Sequence, residues 1–264
     1  MRKTAFILFL MLAAVFSTYA QDRPLNAEEQ IKTYLDQIQY WRYQYSPEDS
    51  GVNPNASPID SLVAANKMLI GYLQNTTAVM RNNFKYGEDA GITIATSPDR
   101  RMRIFSWDTE TGNGTHRYNA VALYETLTGV KSRVLNDASD AAGADSASGR
   151  LYTSINMAGS AKKYYIAFYT GIASEKYAFK GAQAFSIDND QLTDASIFQT
   201  ANSGSNIINY NYDYFANYDY KSMKERNVLH MDKGRLMVPV VEMDKVTDKW
   251  DTYEFDGNKY NLKK

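Results

Sequence analysis

The sequence predicts an α+β protein, with two N-terminal helices followed by a predominantly antiparallel β-meander domain. Three observations predict it. Apolar residues recur at helical spacing from Ile31 and again from Ile59. The period falls to two after Gly91. Short polar turns then separate the apolar runs, with no helical stretch between them. A curved sheet, a barrel and a sandwich all satisfy that pattern. The expected organisation is a signal peptide over residues 1–20, a helical segment over 21–88 and a β domain over 89–264.

The first helix should begin at Asn26, which can cap it, with Glu29 three residues on to complete a capping box. Ile31, Leu35, Ile38 and Tyr45 form its buried stripe, widened by Tyr34 and Trp41, and the helix should stop before Pro47. Ser46–Pro58 is a loop by composition. Ser57-Pro58 starts a second helix with a cap and a first-turn proline. Ile59, Leu62, Val63, Leu69, Ile70 and Leu73 supply its buried face, and it should run to about Val79 or Met80.

Strands are expected over Ile92–Thr96 and Met102–Trp107, where Met102, Ile104 and Ser106 alternate with Arg103, Phe105 and Trp107. Further strands are expected over His116–Glu125, Ser132–Leu135, Leu151–Met157, Tyr164–Thr170 and Lys176–Ile187. The remainder are Ile207–Phe215, Val228–Met231, Leu236–Glu242 and Thr252–Phe255. Asp188-Asn189-Asp190, Asp232-Lys233-Gly234 and Asp256-Gly257-Asn258 supply turns. Asp137–Gly149 is a loop by composition.

Composition excludes several chemistries. Met1–Ala20 reads as a secretory signal peptide: Arg2 and Lys3 precede an apolar run, Ala5–Phe16, that falls short of the roughly 20 residues a spanning helix needs. No later stretch is apolar enough to span a bilayer, so the expected location is the periplasm or the cell surface. The absence of cysteine removes disulfides, thiolate nucleophiles and cysteine-based metal centres. A net charge of −1 offers nucleic acid no electrostatic footprint. No cofactor and no metal are expected. His116 and His230 lie far apart, and an EF-hand frame begun at Asp188 places Thr193 and Gln199 where Gly and Glu are required. No G-x-S-x-G elbow is present.

Three groups are candidates for contact with a ligand. Asp108, Glu110 and His116 should meet at the tip of a hairpin, where two carboxylates in different environments could divide acid and base roles. The alternative is a set of solvated turn residues. Beside them, Trp107 is either a core anchor or a stacking platform for a sugar ring. Arg100, Arg101 and Arg103 could grip a carboxylate or phosphate, or form the charged face of an edge strand. Finally, Tyr210, Tyr212 and Tyr214 share one face of a strand, with Asn211 and Asp213 on the other. They could bind carbohydrate, or pack across strands.

The run DRRMRIFSWDTETGNGTHRYNAVALYE, with KKYYIAFYTG, YAFKGAQAFSIDNDQL, INYNYDYFANYDY and WDTYEFDGNKYNL after it, resembles a family of secreted, β-rich proteins of Bacteroidota to which no activity is assigned. The likeness covers most of the chain after Asp99. It departs at Gly112-Asn113-Gly114, where two adjacent glycines are expected. The resemblance implies an exported β-rich protein and no particular chemistry. The expectation is a non-catalytic binding or interaction role, with carbohydrate or another surface protein as partner. The alternative is a hydrolase of glycans or peptidoglycan that uses a carboxylate pair.

Overall fold

A computed structural model describes residues 26–44, 57–85, 87, 89–112, 115–140, 147–199, 203–219 and 221–263. The expected signal peptide, most of the Ser46–Pro58 loop, Asn113-Gly114 and residues 141–146 lie outside the described residues.

Local chemistry starts both helices. At α1 (Ala27–Gln44), Asn26 Oδ1 accepts from the Glu29 N–H at 3.0 Å, and the Glu29 carboxylate accepts from the Asn26 N–H at 2.8 Å. At α2 (Pro58–Asn75), Ser57 Oγ accepts from the Asp60 N–H at 3.3 Å. Helix α2 ends at Asn75 rather than at Val79 or Met80. The β-branched pair Thr76-Thr77 interrupts it, and Thr77–Met80 forms a 3-10 turn.

Three sheets follow. The first holds β1 (Ile92–Thr96), β2 (Met102–Asp108), β3 (Tyr118–Thr126) and β4 (Gly129–Asn136), antiparallel and in chain order. In the second, β5 (Leu151–Ala158), β6 (Tyr164–Ile172) and β7 (Tyr177–Asp188) form a meander. Strand β7 is long enough to pair with β8 (Gln191–Asp194) near its end and with β11 (Ile207–Asp213) along its beginning. The third sheet contains β9 (Phe198–Gln199), β10 (Gly204–Ser205), β14 (His230–Asp232), β15 (Arg235–Glu242), β16 (Lys245–Phe255) and β17 (Tyr260–Leu262). Its order is β10-β9-β17-β16-β15-β14, and β9 and β17 run parallel. A two-stranded ribbon, β12 (Tyr218–Asp219) with β13 (Lys224–Glu225), stands apart.

The pleat sends alternate side chains into different cores and stacks these elements as layers. Phe105, Trp107, Val121 and Leu123 face the helices and join Leu35, Leu62, Leu69 and Leu73 in one core. The opposite face of the same sheet, through Met102, Ile104, Ala120 and Ala122, meets Tyr152, Tyr165, Ala167 and Phe185 of the second sheet. The second sheet then turns Ile166, Phe168, Ala182 and Ala184 toward Phe198, Leu236, Val238 and Tyr260 of the third. The helical segment therefore shares its core with the first sheet. The expected strand through Phe215 stops at Asp213, because the Asp213 carboxylate accepts from the Ala216 N–H and caps a short helix, α3 (Tyr214–Asn217).

Asp99, in the β1–β2 turn, ties the first two sheets together. It accepts from Ser97 Oγ (2.8 Å), the Arg101 N–H (3.1 Å), Tyr165 Oη (3.2 Å) and Lys163 Nζ (3.4 Å). Burial raises its pKa, but these donors together outweigh burial and hold it below the usual carboxylate range. A depressed folded-state pKa gives stability that is present above the unfolded value, about 3.9, and is lost as pH falls through the folded one. Asp99→Asn is expected to cost about 1–2 kcal/mol at pH 7 and to make acid unfolding shallower below about pH 4. Urea titrations at pH 7 and pH 3 check this. An equal cost at both pH values would rule the linkage out.

Candidate functional site

The structure gives the expected hairpin residues different fates. Trp107 is fully buried between the first sheet and the helices, and its indole N–H donates to Asn66 Oδ1 at 2.9 Å. No ring face is open for a sugar; of its two expected roles it takes that of core anchor. Asp108 and His116 do meet. Asp108 Oδ2 pairs with His116 Nδ1 at 2.5 Å, Asp108 Oδ1 accepts from the Glu110 N–H at 3.0 Å, and the His116 ring stacks 6.0 Å from that of Tyr118. Glu110 sits at φ +58°, and α1 reaches it through Gln39 Nε2 (3.3 Å) and Arg42 Nε (3.7 Å). Burial, then the neighbouring Asp108 charge, push its carboxyl above the usual range against the pull of Gln39, Arg42 and His116.

Arg101 and Arg103 are occupied by the chain itself. Arg103 donates to Thr96 Oγ1 (3.0 Å) and to the carbonyls of Val79 (3.0 Å) and Asn82 (2.7 Å), which fastens the 3-10 turn to β2. Arg101 donates to the Glu125 carbonyl at 3.1 Å, and Arg100 occupies the turn before it at φ +58°.

The tyrosines face inward. Tyr210 and Tyr212 lie 5.5 Å apart on the β11 face turned toward the third sheet. The Tyr210 hydroxyl accepts from the Leu229 N–H at 3.3 Å, and that of Tyr212 donates to Glu225. Tyr214 has left the strand for α3, where its ring packs on Phe215 and Tyr218. A ligand face made of these three rings is therefore corrected: two of the hydroxyls are used within the protein, and the third ring belongs to a different element.

It is the other face of β11 that lines a cleft. Asn209 and Asn211, both exposed, pair across to Gly181 and Phe179 of β7. With Arg150, Tyr169, Phe179 and Ser148 they surround a cleft of about 390 Å³. Two glycines shape it. Gly181 stands opposite Tyr169, and a Cβ there would come within 2.5 Å of both the Tyr169 hydroxyl and the Ile208 carbonyl, so only glycine lets the tyrosine lean across β7 toward Asn209. Gly149, at φ +79°, would set a Cβ 2.1 Å from the Tyr118 carbonyl. That close approach, with the Tyr118 N–H bonded to the Ser148 carbonyl at 2.8 Å, brings the cleft against the strand that carries Tyr118. Arg150 is placed by the next residue's entry into β5 and by the Asn136 amide, which donates to its carbonyl at 2.9 Å.

The floor of the cleft holds an unsatisfied group. Tyr169 is 3 % exposed, and its hydroxyl makes no hydrogen bond of normal geometry among the described residues. Burial raises its pKa; the Arg150 guanidinium, 5.0 Å from the ring centroid, opposes that rise through its charge and a loose contact with the hydroxyl. A wider depression of about 550 Å³ lies beside Arg103, but there the guanidinium is already spent on Thr96, Val79 and Asn82. Asp108, Glu110 and His116 line neither opening. Spacing alone places Asn209 and Asn211 together, whereas Arg150, Tyr169 and Phe179 are brought to them by tertiary folding.

Among the described residues, no group of three or more His, Asp or Glu is placed to hold a metal ion, and no helix is long and apolar enough to cross a membrane. Compared with known proteins, the chain matches no family model, no curated protein and no solved structure.

Proposed function

We propose that the chain is an exported binding module of the periplasm or cell surface, of the Bacteroidota kind that the Arg100–Glu125 stretch resembles, and that the Arg150–Asn209–Asn211 cleft takes a carbohydrate. The observation that carries this reading is the Tyr169 hydroxyl, buried without a hydrogen bond of normal geometry among the described residues, in the floor of a cleft walled by two exposed amides. A buried polar group left unpaired costs roughly 1–3 kcal/mol, which a hydroxyl-rich ligand can recover. The half-buried Phe179 ring adds apolar surface of the kind sugar rings stack on.

Calorimetry of the purified protein against neutral and uronate-containing tetrasaccharides tests it. Binding is expected, and Asn209→Ala and Asn211→Ala should each weaken it about 3- to 10-fold, the worth of one hydrogen bond. No heat with any sugar would end the carbohydrate reading in favour of a protein partner. One observation favours the second reading, a hydrolase: burial, then the neighbouring Asp108 charge, push the Glu110 carboxyl above its usual range. New reducing ends in the same samples, lost in Glu110→Gln, would establish that reading instead.

A further inference from the structure

Within the carbohydrate-binding reading, and resting on it, we propose that the cleft selects sugars that carry a carboxylate, which Arg150 binds. Three observations carry this inference. Arg150 forms no ion pair among the described residues, although most of the other arginines on the described surface do: Arg42, Arg81, Arg133, Arg226 and Arg235 each face an acid. It is also fixed rather than free to swing, with its backbone held by Asn136 and its guanidinium over the Tyr169 ring. The acid that lines the same cleft, Asp137, is already answered: Lys67 Nζ lies 2.6 Å from its Oδ2, and the Ser139 N–H donates to Oδ1 at 3.2 Å.

The result is a cation with no ion-pair partner among the described residues, in a recess whose other polar walls are amides, hydroxyls and the Asp137 carboxylate already paired with Lys67. A planar guanidinium offers two parallel N–H donors to a carboxylate, and the pair gains strength as the ligand displaces water from the recess. Neutral amides beside it suit the ring hydroxyls of the same sugar, donating and accepting without adding charge. The Tyr169 hydroxyl below can then meet a ring or carboxylate oxygen. A uronic acid presents a carboxylate and vicinal hydroxyls on one ring and uses all of these groups together.

The test measures binding of galacturonate, mannuronate and guluronate tetramers, the methyl ester of the galacturonate tetramer, and tetraglutamate. A uronate tetramer is expected to bind about 10- to 100-fold more tightly than its neutral ester, as a charge-assisted pair requires. That preference should shrink as salt rises from 20 to about 500 mM, because the site is open to solvent. Arg150→Gln should remove the preference of the acid over the ester, and Arg150→Lys should retain part of it. The acid–ester comparison in the unaltered protein decides the matter even if neither variant folds. Equal binding of acid and ester overturns the inference and leaves carbohydrate binding standing. Tetraglutamate binding as tightly as the uronates overturns sugar selection. Binding by none of the five overturns the inference, and silence from the neutral tetrasaccharides as well removes the carbohydrate reading beneath it.

Discussion

Trp107→Ala is expected to lower the free energy of unfolding by about 3–5 kcal/mol. The side chain has no exposed surface and fills the core shared by β2, β3 and the two helices, where Leu62, Leu69, Phe105 and Val121 surround it. Alanine would leave a cavity that two rigid layers cannot close, and it would orphan one acceptor position on Asn66. Against a typical total of about 5–15 kcal/mol, that is a large fraction of the fold. Urea unfolding followed by far-ultraviolet circular dichroism measures it. A loss below about 1.5 kcal/mol would mean that the helices do not depend on this anchor. It also follows that Trp107→Ala cannot serve as a probe of ligand contact, since any loss of binding would report a damaged core.

Asn66→Leu should be comparably damaging, at about 2–6 kcal/mol, because it strands at least two buried polar groups at roughly 1–3 kcal/mol each. Asn66 is a fully buried amide on α2, and both ends of it are used. Its Nδ2 donates to the carbonyls of Leu62 (3.0 Å) and Thr109 (2.9 Å), while Oδ1 accepts from Trp107 Nε1 (2.9 Å) and Asn119 Nδ2 (3.4 Å). Leucine keeps the branching at Cγ and none of the bonds. Combining Asn66→Leu with Trp107→Phe should give less than the sum of the single costs, because once one partner is gone the other has less to lose. Strict additivity would show that the drawn bond carries no energy. The Thr109 bond has a second role, since it anchors the segment that turns Glu110 back toward Gln39 and Arg42.

These two residues show what the sequence made legible. Helix starts were readable because their signals are local: Asn26 with Glu29, and Ser57 with Pro58, act within one turn. Strand parity was readable for the same reason, and the alternation from Met102 to Trp107 is the one observed. The inward or outward sense of a face was not. Ser106, on the face shared with Met102 and Ile104, is buried and accepts from the Tyr152 N–H at 3.2 Å, because a second sheet covers that side. The same ambiguity turned the β11 tyrosines into core and its asparagines into cleft wall. Asn66 reads as a polar break in an apolar helix face until Trp107 and Thr109 arrive from elsewhere in the chain. The turn at Met243-Asp244, with φ of +48° and +63°, carried no turn signal at its first position. As for the candidate site, its residues come from the β4–β5 connection and from β6, β7 and β11, and no local pattern links segments so far apart.

The parallel pairing of β9 with β17 sets an order on events. Strands β14, β15 and β16 join through tight reversals and can zip together as neighbours. Strand β9 has no such neighbour on that side; Phe198 must wait for Tyr260. Closing so long an intervening loop before the contact rewards it is slow compared with hairpin formation. Until it closes, β9 and β16 both show bare backbone donors and acceptors to their surroundings, edges of the kind on which chains aggregate. The final short strand thus acts as a latch: the aggregation risk of the half-folded chain is set by how soon Tyr260–Leu262 slides between them.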